Sequence, residues 1–229
     1  MQASRWEKCL FGAKRTGKDS QPEFHPSFLE YSFQMAVPTE SGMDFARVVR
    51  KRRMIRAFKP VPVPEDKIRR ILELAQHYPS AGFSQGVAFI VITEPERVRR
   101  LRELSRLRGD APVLVVPCVS EKLYHDRYRE PDKIRQDGTE IDWPIPYWYF
   151  DAGCASLLVL LATVDGGLSA YIAGAFRPEL LRRELGIPDH FVPVGVISIG
   201  YADYERHVPS PSLNRGRRPT GEVVHSQHW

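Results

Sequence analysis

Residues 147–164 carry a single charged side chain, Asp151, and are apolar on nearly every side of a helical wheel; Pro146 precedes them and Gly166-Gly167 follows. A helix without a polar face must be covered by other structure, either in the middle of a fold or in a subunit interface. The longest apolar run, residues 155–164, is shorter than the about 20 residues that span a bilayer. The rest of the chain is therefore expected to assemble around one buried helix.

Upstream, a regular pattern starts at Met43. Asp44 is placed to cap a helix that carries Phe45, Val48, Val49 and Arg52 at helical spacing and stops near Met54. Pro60, Pro62 and Pro64 enforce an extended link, and Pro64 then opens a second helix with Ile68, Ile71, Leu72 and Ala75 inward. Residues 87–93 read as a strand, and 96–108 as a helix with Val98, Leu101 and either Leu104 or Leu107 facing the core. Residues 112–119 are a β-branched run suited to a buried strand. Between 120 and 146 the sequence is charged and aromatic, and no regular core role is assigned to it. Beyond the apolar helix come a strand at 168–172, a short helix at 178–185, a buried strand at 192–201 and an irregular basic arm. Helices and strands are intermixed without internal repeats, so residues 43–229 read as one domain. Residues 1–42, rich in Lys, Ser, Gln and Pro without a sustained period, read as an N-terminal appendage.

Composition narrows the function. A formal charge of +5 and a pI near 9.2 permit contact with nucleic acid or a membrane surface. Acidic residues share the same helices, however, which argues against both. Cys9, Cys118 and Cys154 are odd in number, far apart and without a CxxC, which suggests a reducing, cytoplasmic setting and no thiolate metal site. Residues 1–10 lack the apolar core of a secretory signal.

Several short motifs fail on context. Gly12-Ala13-Lys14-Arg15-Thr16-Gly17-Lys18 has phosphate-loop spacing, but Asp19 stands where a hydroxyl would hold magnesium, and no strand precedes it. Gly82-Phe83-Ser84-Gln85-Gly86 spells a nucleophile elbow, yet a helix precedes and a strand follows, the reverse of what a serine hydrolase needs. No GxGxxG follows a strand. His225 and His228 lack a third metal ligand, and His77 and His190 sit at helix ends.

What remains is a basic segment and a loop of small residues. Seven of the thirteen residues from Arg47 to Lys59 are Lys or Arg, interleaved with Val48, Val49, Ile55 and Phe58. Two readings fit: a solvated basic face, or a seat for a phosphate or an electron-rich ring edge. Small residues at 79–86 allow backbone to approach a ligand closely. Arg215-Gly216-Arg217-Arg218-Pro219 adds further cations.

Together these pieces resemble the FMN-dependent nitroreductase family. Arg52-Arg53-Met54-Ile55-Arg56-Ala57-Phe58 is similar to its RRSxRxF, and Pro79 to Gln85 to its PSxxxSQ loop. Further likeness lies in Asp151-Ala152-Gly153, in Gly167-Leu168 ahead of residues 171–176, and in Arg217-Arg218-Pro219. The resemblance extends from Met43 to about Val224. It implies an α+β fold with a central mixed or antiparallel sheet flanked by helices, and a homodimer with FMN at the interface. By the same resemblance, Arg52, Arg53 and Met54 contact the phosphate, ribityl chain and pyrimidine edge. Pro79, Ser80, Ala81 and Ser84 lean on the flavin of the second subunit. Ile172, Ala173 and Gly174 lie along the ring, with the Gly174 N–H facing its reactive nitrogen, and Arg215, Arg217 and Arg218 complete the phosphate site. Without the resemblance, residues 172–174 read equally as strand-to-helix packing.

Four positions depart from the family pattern: Met54 replaces the frequent Ser, Phe83 replaces Asn, and Gly86-Val87 replaces Pro-Trp. Phe83, Trp143, Tyr147 and Trp148, with Tyr124 and Tyr128, are candidates for an aromatic cover over the substrate. The implied activity is ping-pong reduction of an electron-poor small molecule, a nitro compound or quinone, by NAD(P)H through FMN. The cofactor carries the redox step, so no catalytic side chain and no metal are expected. Related chemistry stays open: a flavin-fragmenting synthase of the lower cobalamin ligand, a reductive dehalogenase, or a non-catalytic flavin- or nucleotide-binding module.

Overall fold

The computed structural model describes residues 42–175 and 177–229. The N-terminal appendage, its phosphate-loop-like stretch, Cys9 and Phe176 lie outside the described residues. The elements in chain order are α1 (Phe45–Lys51), α2 (Glu65–Ala75), β1 (Val87–Ile92), α3 (Pro95–Ser105), β2 (Val113–Val119), α4 (Glu121–Tyr128), α5 (Tyr147–Asp165), β3 (Ser169–Gly174), α6 (Pro178–Leu185), β4 (Val192–Pro193) and β5 (Gly195–Gly200). The sheet runs β1-β2-β5-β3 with β4 beside β2, and every ladder is antiparallel. This is an α+β architecture, as expected.

Side-chain alternation along the strands makes the sheet a divider between two cores. Val113, Val115, Ile197 and Ile199 face α5 and α2, meeting Val159, Leu160, Ile68 and Ile71. Leu114, Val116, Cys118 and Val196 face the other way, meeting Val98 and Leu101 of α3 and Leu181 of α6. The central helix α5 is long and apolar enough to cross a membrane on length and composition; here Ala155, Val159 and Thr163 are fully enclosed by the fold.

Three expectations need correction, and the burial of the α1 face, left open by its helical spacing, is settled. The strand expected at 192–201 is broken into β4 and β5. The break falls opposite Pro117, whose carbonyl accepts the Val194 N–H at 2.9 Å but which has no N–H to return. Phe45 and Val49 are not in the core: they are 71% and 45% exposed, and only Val48 of α1 is buried. Residues 120–146 do contribute to the core, because α4 carries the fully buried Tyr124. Strand β3 runs on to Gly174, beyond the expected end at 172.

Residues 54–59 stitch the open side of β3 to the chain after β5. Met54 bridges to Ala170, Ile55 donates to the Ala170 carbonyl at 3.2 Å, and Lys59 donates to the Tyr201 carbonyl at 2.8 Å. This extended run fixes Arg56 beside the end of β3.

Candidate functional site

A cavity of about 650 Å³ opens at the C-terminal end of β3. Its floor is Tyr171, Ile172, Ala173, Gly174 and Ala175; its walls are Leu104, Leu181, Ser210 and four arginines, Arg56, Arg106, Arg108 and Arg177. The volume falls in the range of small-molecule sites. Guanidinium groups bind phosphate or carboxylate through paired N–H donors, and the half-exposed end of β3 offers a narrow backbone strip beside them.

Local structure explains how the walls are placed. Helix α3 ends with Arg106 in the left-handed region at φ 52°, which turns the chain back over β3. Gly109, at φ 78°, then passes so close to Arg56 that a Cβ would sit 2.1 Å from the Arg56 carbonyl oxygen. The Arg56 guanidinium lies 5.4 Å over the Tyr171 ring, which stacks on Phe58 at 6.5 Å. The Tyr171 hydroxyl donates to the Arg108 carbonyl. Burial raises the pKa of that hydroxyl above the usual tyrosine value, against the opposing pull of the Ser198 hydrogen bond and of Arg56 and Arg102, so it stays a neutral donor. Asp110 clamps the same corner: its carboxylate accepts the Phe58 N–H at 3.1 Å and pairs with Arg206 at 2.9 Å. Burial pushes that carboxyl up, but the Arg206 and Phe58 hydrogen bonds outweigh it and hold it below the usual range.

The expected cofactor residues are distributed unevenly. Ile172, Ala173 and Gly174 line this cavity. Arg52 caps α1 half-buried, Met54 is half-buried against β3, and Arg53 is exposed, donating to the Arg50 and Arg52 carbonyls at 2.5 and 2.9 Å. Arg53 also borders a separate hollow of about 470 Å³ with Lys51 and Lys59. The C-terminal arm touches the cavity at Ser210; beyond it Arg215, Arg217 and Arg218 are exposed, and Arg218 is engaged by Glu222. Arg106, Arg108 and Arg177 were not anticipated. Nothing in their local sequence separates them from solvated arginines, whereas Arg56 stood inside the basic motif without an assigned role.

Pro79, Ser80, Ala81, Phe83 and Ser84 do not line the cavity; their loop is built against α4 and α5. The Ala81 N–H donates to the Asp151 carboxylate at 2.8 Å, and the Tyr124 hydroxyl donates to the same oxygen at 2.8 Å. Burial, reinforced by the Asp151 hydrogen bond, drives the Tyr124 hydroxyl far above its usual range. Ser84 Oγ donates to the Ala81 carbonyl at 2.7 Å, a local turn contact and not a nucleophile–base pair. Trp143 packs edge-on to Tyr128 with centroids 4.6 Å apart, and lies 5.8 Å from Trp148 and 6.4 Å from Tyr147. Trp148 is buried in this aromatic group, while Tyr147 and Phe83 are exposed. Glu140 ties the intervening segment down by accepting Trp143 Nε1–H at 2.6 Å and pairing with His125 Nδ1 at 2.5 Å. Among the described residues no three His, Cys, Asp or Glu side chains group as metal ligands.

Comparison with known proteins gives a consistent result. The family model described as "Nitroreductase family" matches residues 49–108. A Methanothermobacter thermautotrophicus protein, provisionally named an NADH dehydrogenase/NAD(P)H nitroreductase, is 30% identical over 198 residues, covering 82% of this chain and 90% of its own. An FMN reductase [NAD(P)H] of Bacillus subtilis is 25% identical over 182 residues, covering 77% of this chain and 71% of its own. Among solved structures, a nitroreductase family protein from Streptococcus pneumoniae superposes with a TM-score of 0.64 at 22% identity, covering 80% of this chain and 100% of its own, which supports the fold.

Proposed function

This chain belongs to the nitroreductase family, and we propose that it is an FMN enzyme in which reduced nicotinamide and an electron-poor acceptor, a quinone or nitro compound, use one site in turn. At the coarser level it is an NAD(P)H-dependent flavin oxidoreductase. The observation that carries the finer reading is the meeting of four arginines with the bare backbone end of β3 in one cavity.

The donor set suits FMN, which combines an anionic phosphate with a flat, polar-edged ring. Bound there, the flavin would supply the redox chemistry, taking a hydride from the nicotinamide and returning electrons to the acceptor. The chain's own residues bind and orient. Arg56, Arg106, Arg108 and Arg177 offer charge-assisted hydrogen bonds to anionic groups. Gly174 adds no side chain at the open end of the strip, and Leu104 and Leu181 provide apolar wall that limits water. No side-chain acid or base is needed by this scheme.

The remaining cofactor residues join the site in a homodimer. Phe45 and Val49 of α1 and Tyr149, Phe150 and Leu157 of α5 leave an exposed apolar surface on two elements that pack together, as an interface would. In that arrangement the loop at 79–85 reaches the flavin of the second subunit, and Arg52, Arg53, Met54, Arg215, Arg217 and Arg218 gather at the phosphate end. The unpaired Cys118 and Cys154 are in keeping with a cytoplasmic enzyme.

The test is FMN retention after gel filtration. Arg52→Ala, Arg56→Ala and Arg217→Ala are each expected to lose at least half of the bound FMN. Wild-type retention in all three would contradict the assignment.

A further inference from the structure

The loop at 79–85 has an unusual backbone. Gly82, Phe83 and Gln85 all have positive φ, at 59°, 59° and 50°. Glycine takes this region freely, but it is disfavoured for residues with a Cβ, and for a bulky side chain it is an outlier. Such a conformation persists only where its surroundings over-determine it.

They do so here. Ser80 Oγ accepts the Gln85 N–H at 2.9 Å, and Asp151, 2% exposed, holds the Ala81 N–H. From α4, Arg127 Nε donates to the Gly82 carbonyl at 3.0 Å, and the same guanidinium is fixed by a two-pronged pair with Asp132 at 2.6 and 2.7 Å. The loop is pressed so tightly on α4 that a Cβ on Gly82 would lie 2.5 Å from the Tyr128 ring. The outcome is that Phe83 points outward, 73% exposed. Its ring stacks on no other aromatic ring among the described residues.

Strain at a buried residue can be offset by packing. Phe83 gains little of that within its own subunit, so the fold holds an unfavourable conformation in order to present a bare aromatic ring. We propose that Phe83 is a stacking plate that selects planar aromatic acceptors, and that Arg127 is the positioning residue that keeps it presented. The inference rests on the proposed function, which brings this loop over the flavin of the second subunit. A flat ring seated there gains offset stacking with Phe83; a non-aromatic acceptor does not.

The experiment uses the FMN-loaded enzyme at fixed reduced nicotinamide and compares kcat/KM for menadione, a planar quinone, with kcat/KM for ferricyanide. Phe83→Gly is expected to lower the menadione-to-ferricyanide ratio about tenfold while raising Tm, because glycine relieves the positive φ. Phe83→Tyr is expected to keep the ratio. Arg127→Ala is expected to lower it at least threefold although Phe83 is still there. An unchanged ratio in Phe83→Gly, or an equal loss with both acceptors, overturns the inference while leaving the flavin reading standing. Wild-type protein that reduces neither acceptor overturns both.

Discussion

The buried carboxylate of Asp151 and the backbone N–H of Ala81 are joined by a 2.8 Å hydrogen bond across 70 residues of sequence. Through it the central helix holds the loop that carries Phe83. Among the described residues no cation pairs with Asp151, so its hydrogen bonds to the Ala81 N–H and the Tyr124 hydroxyl are what offset its burial.

Asp151→Ala leaves both donors unsatisfied and is expected to destabilise the protein by about 3 kcal/mol in urea unfolding, with Tyr124→Phe costing about 1 kcal/mol. Losses below about 0.5 kcal/mol in both variants would show that this pairing does not hold the loop.

Gly109→Ala puts a methyl group where the Arg56 carbonyl oxygen already stands, 2.1 Å away, on a backbone at φ 78°. The turn must move, and Arg56 and Arg108 move with it. FMN affinity is expected to fall at least about tenfold, roughly 1.4 kcal/mol, when measured by fluorescence titration. Unaltered affinity would mean that this corner does not shape the site.

Asp132 gives a pH-dependent prediction. Its hydrogen bond with Arg127 holds its carboxyl down at about 2, against an ordinary value of 3.8. A folded-state value below the unfolded one contributes stability that is fully present above about pH 4 and disappears as pH falls through about 2. An NMR titration should therefore find the Asp132 midpoint near 2 in the wild type and close to the ordinary value in Arg127→Ala. Equal midpoints would remove Arg127 as the cause.

The frame was legible where sequence pattern and burial coincide. Helix α5 declared itself because its residues are apolar all round, and β2 because all seven of its positions are buried. Helix α4 did not: only Tyr124 of its eight residues is buried, too little to establish a period. Helical spacing placed Phe45 and Val49 on one face but could not tell whether that face meets its own core or another surface. At the cavity, Ile172, Ala173 and Gly174 had been singled out through resemblance alone, whereas Arg106, Arg108 and Arg177 reach it through a left-handed turn and a strand end that no local pattern announces. The positive φ of Phe83 is likewise a property of the loop's tertiary ties.

FMN binding in the cavity at the end of β3 is the proposal on which the predictions about the site rest. The most direct measurement is a visible absorption spectrum of the purified protein, with mass analysis of the small molecule that heat releases, on wild type and Arg56→Ala side by side. Flavin bands and released FMN in the wild type, reduced in Arg56→Ala, are the predicted result. A colourless wild-type protein that also fails to take up added FMN would rule out an FMN site in this cavity.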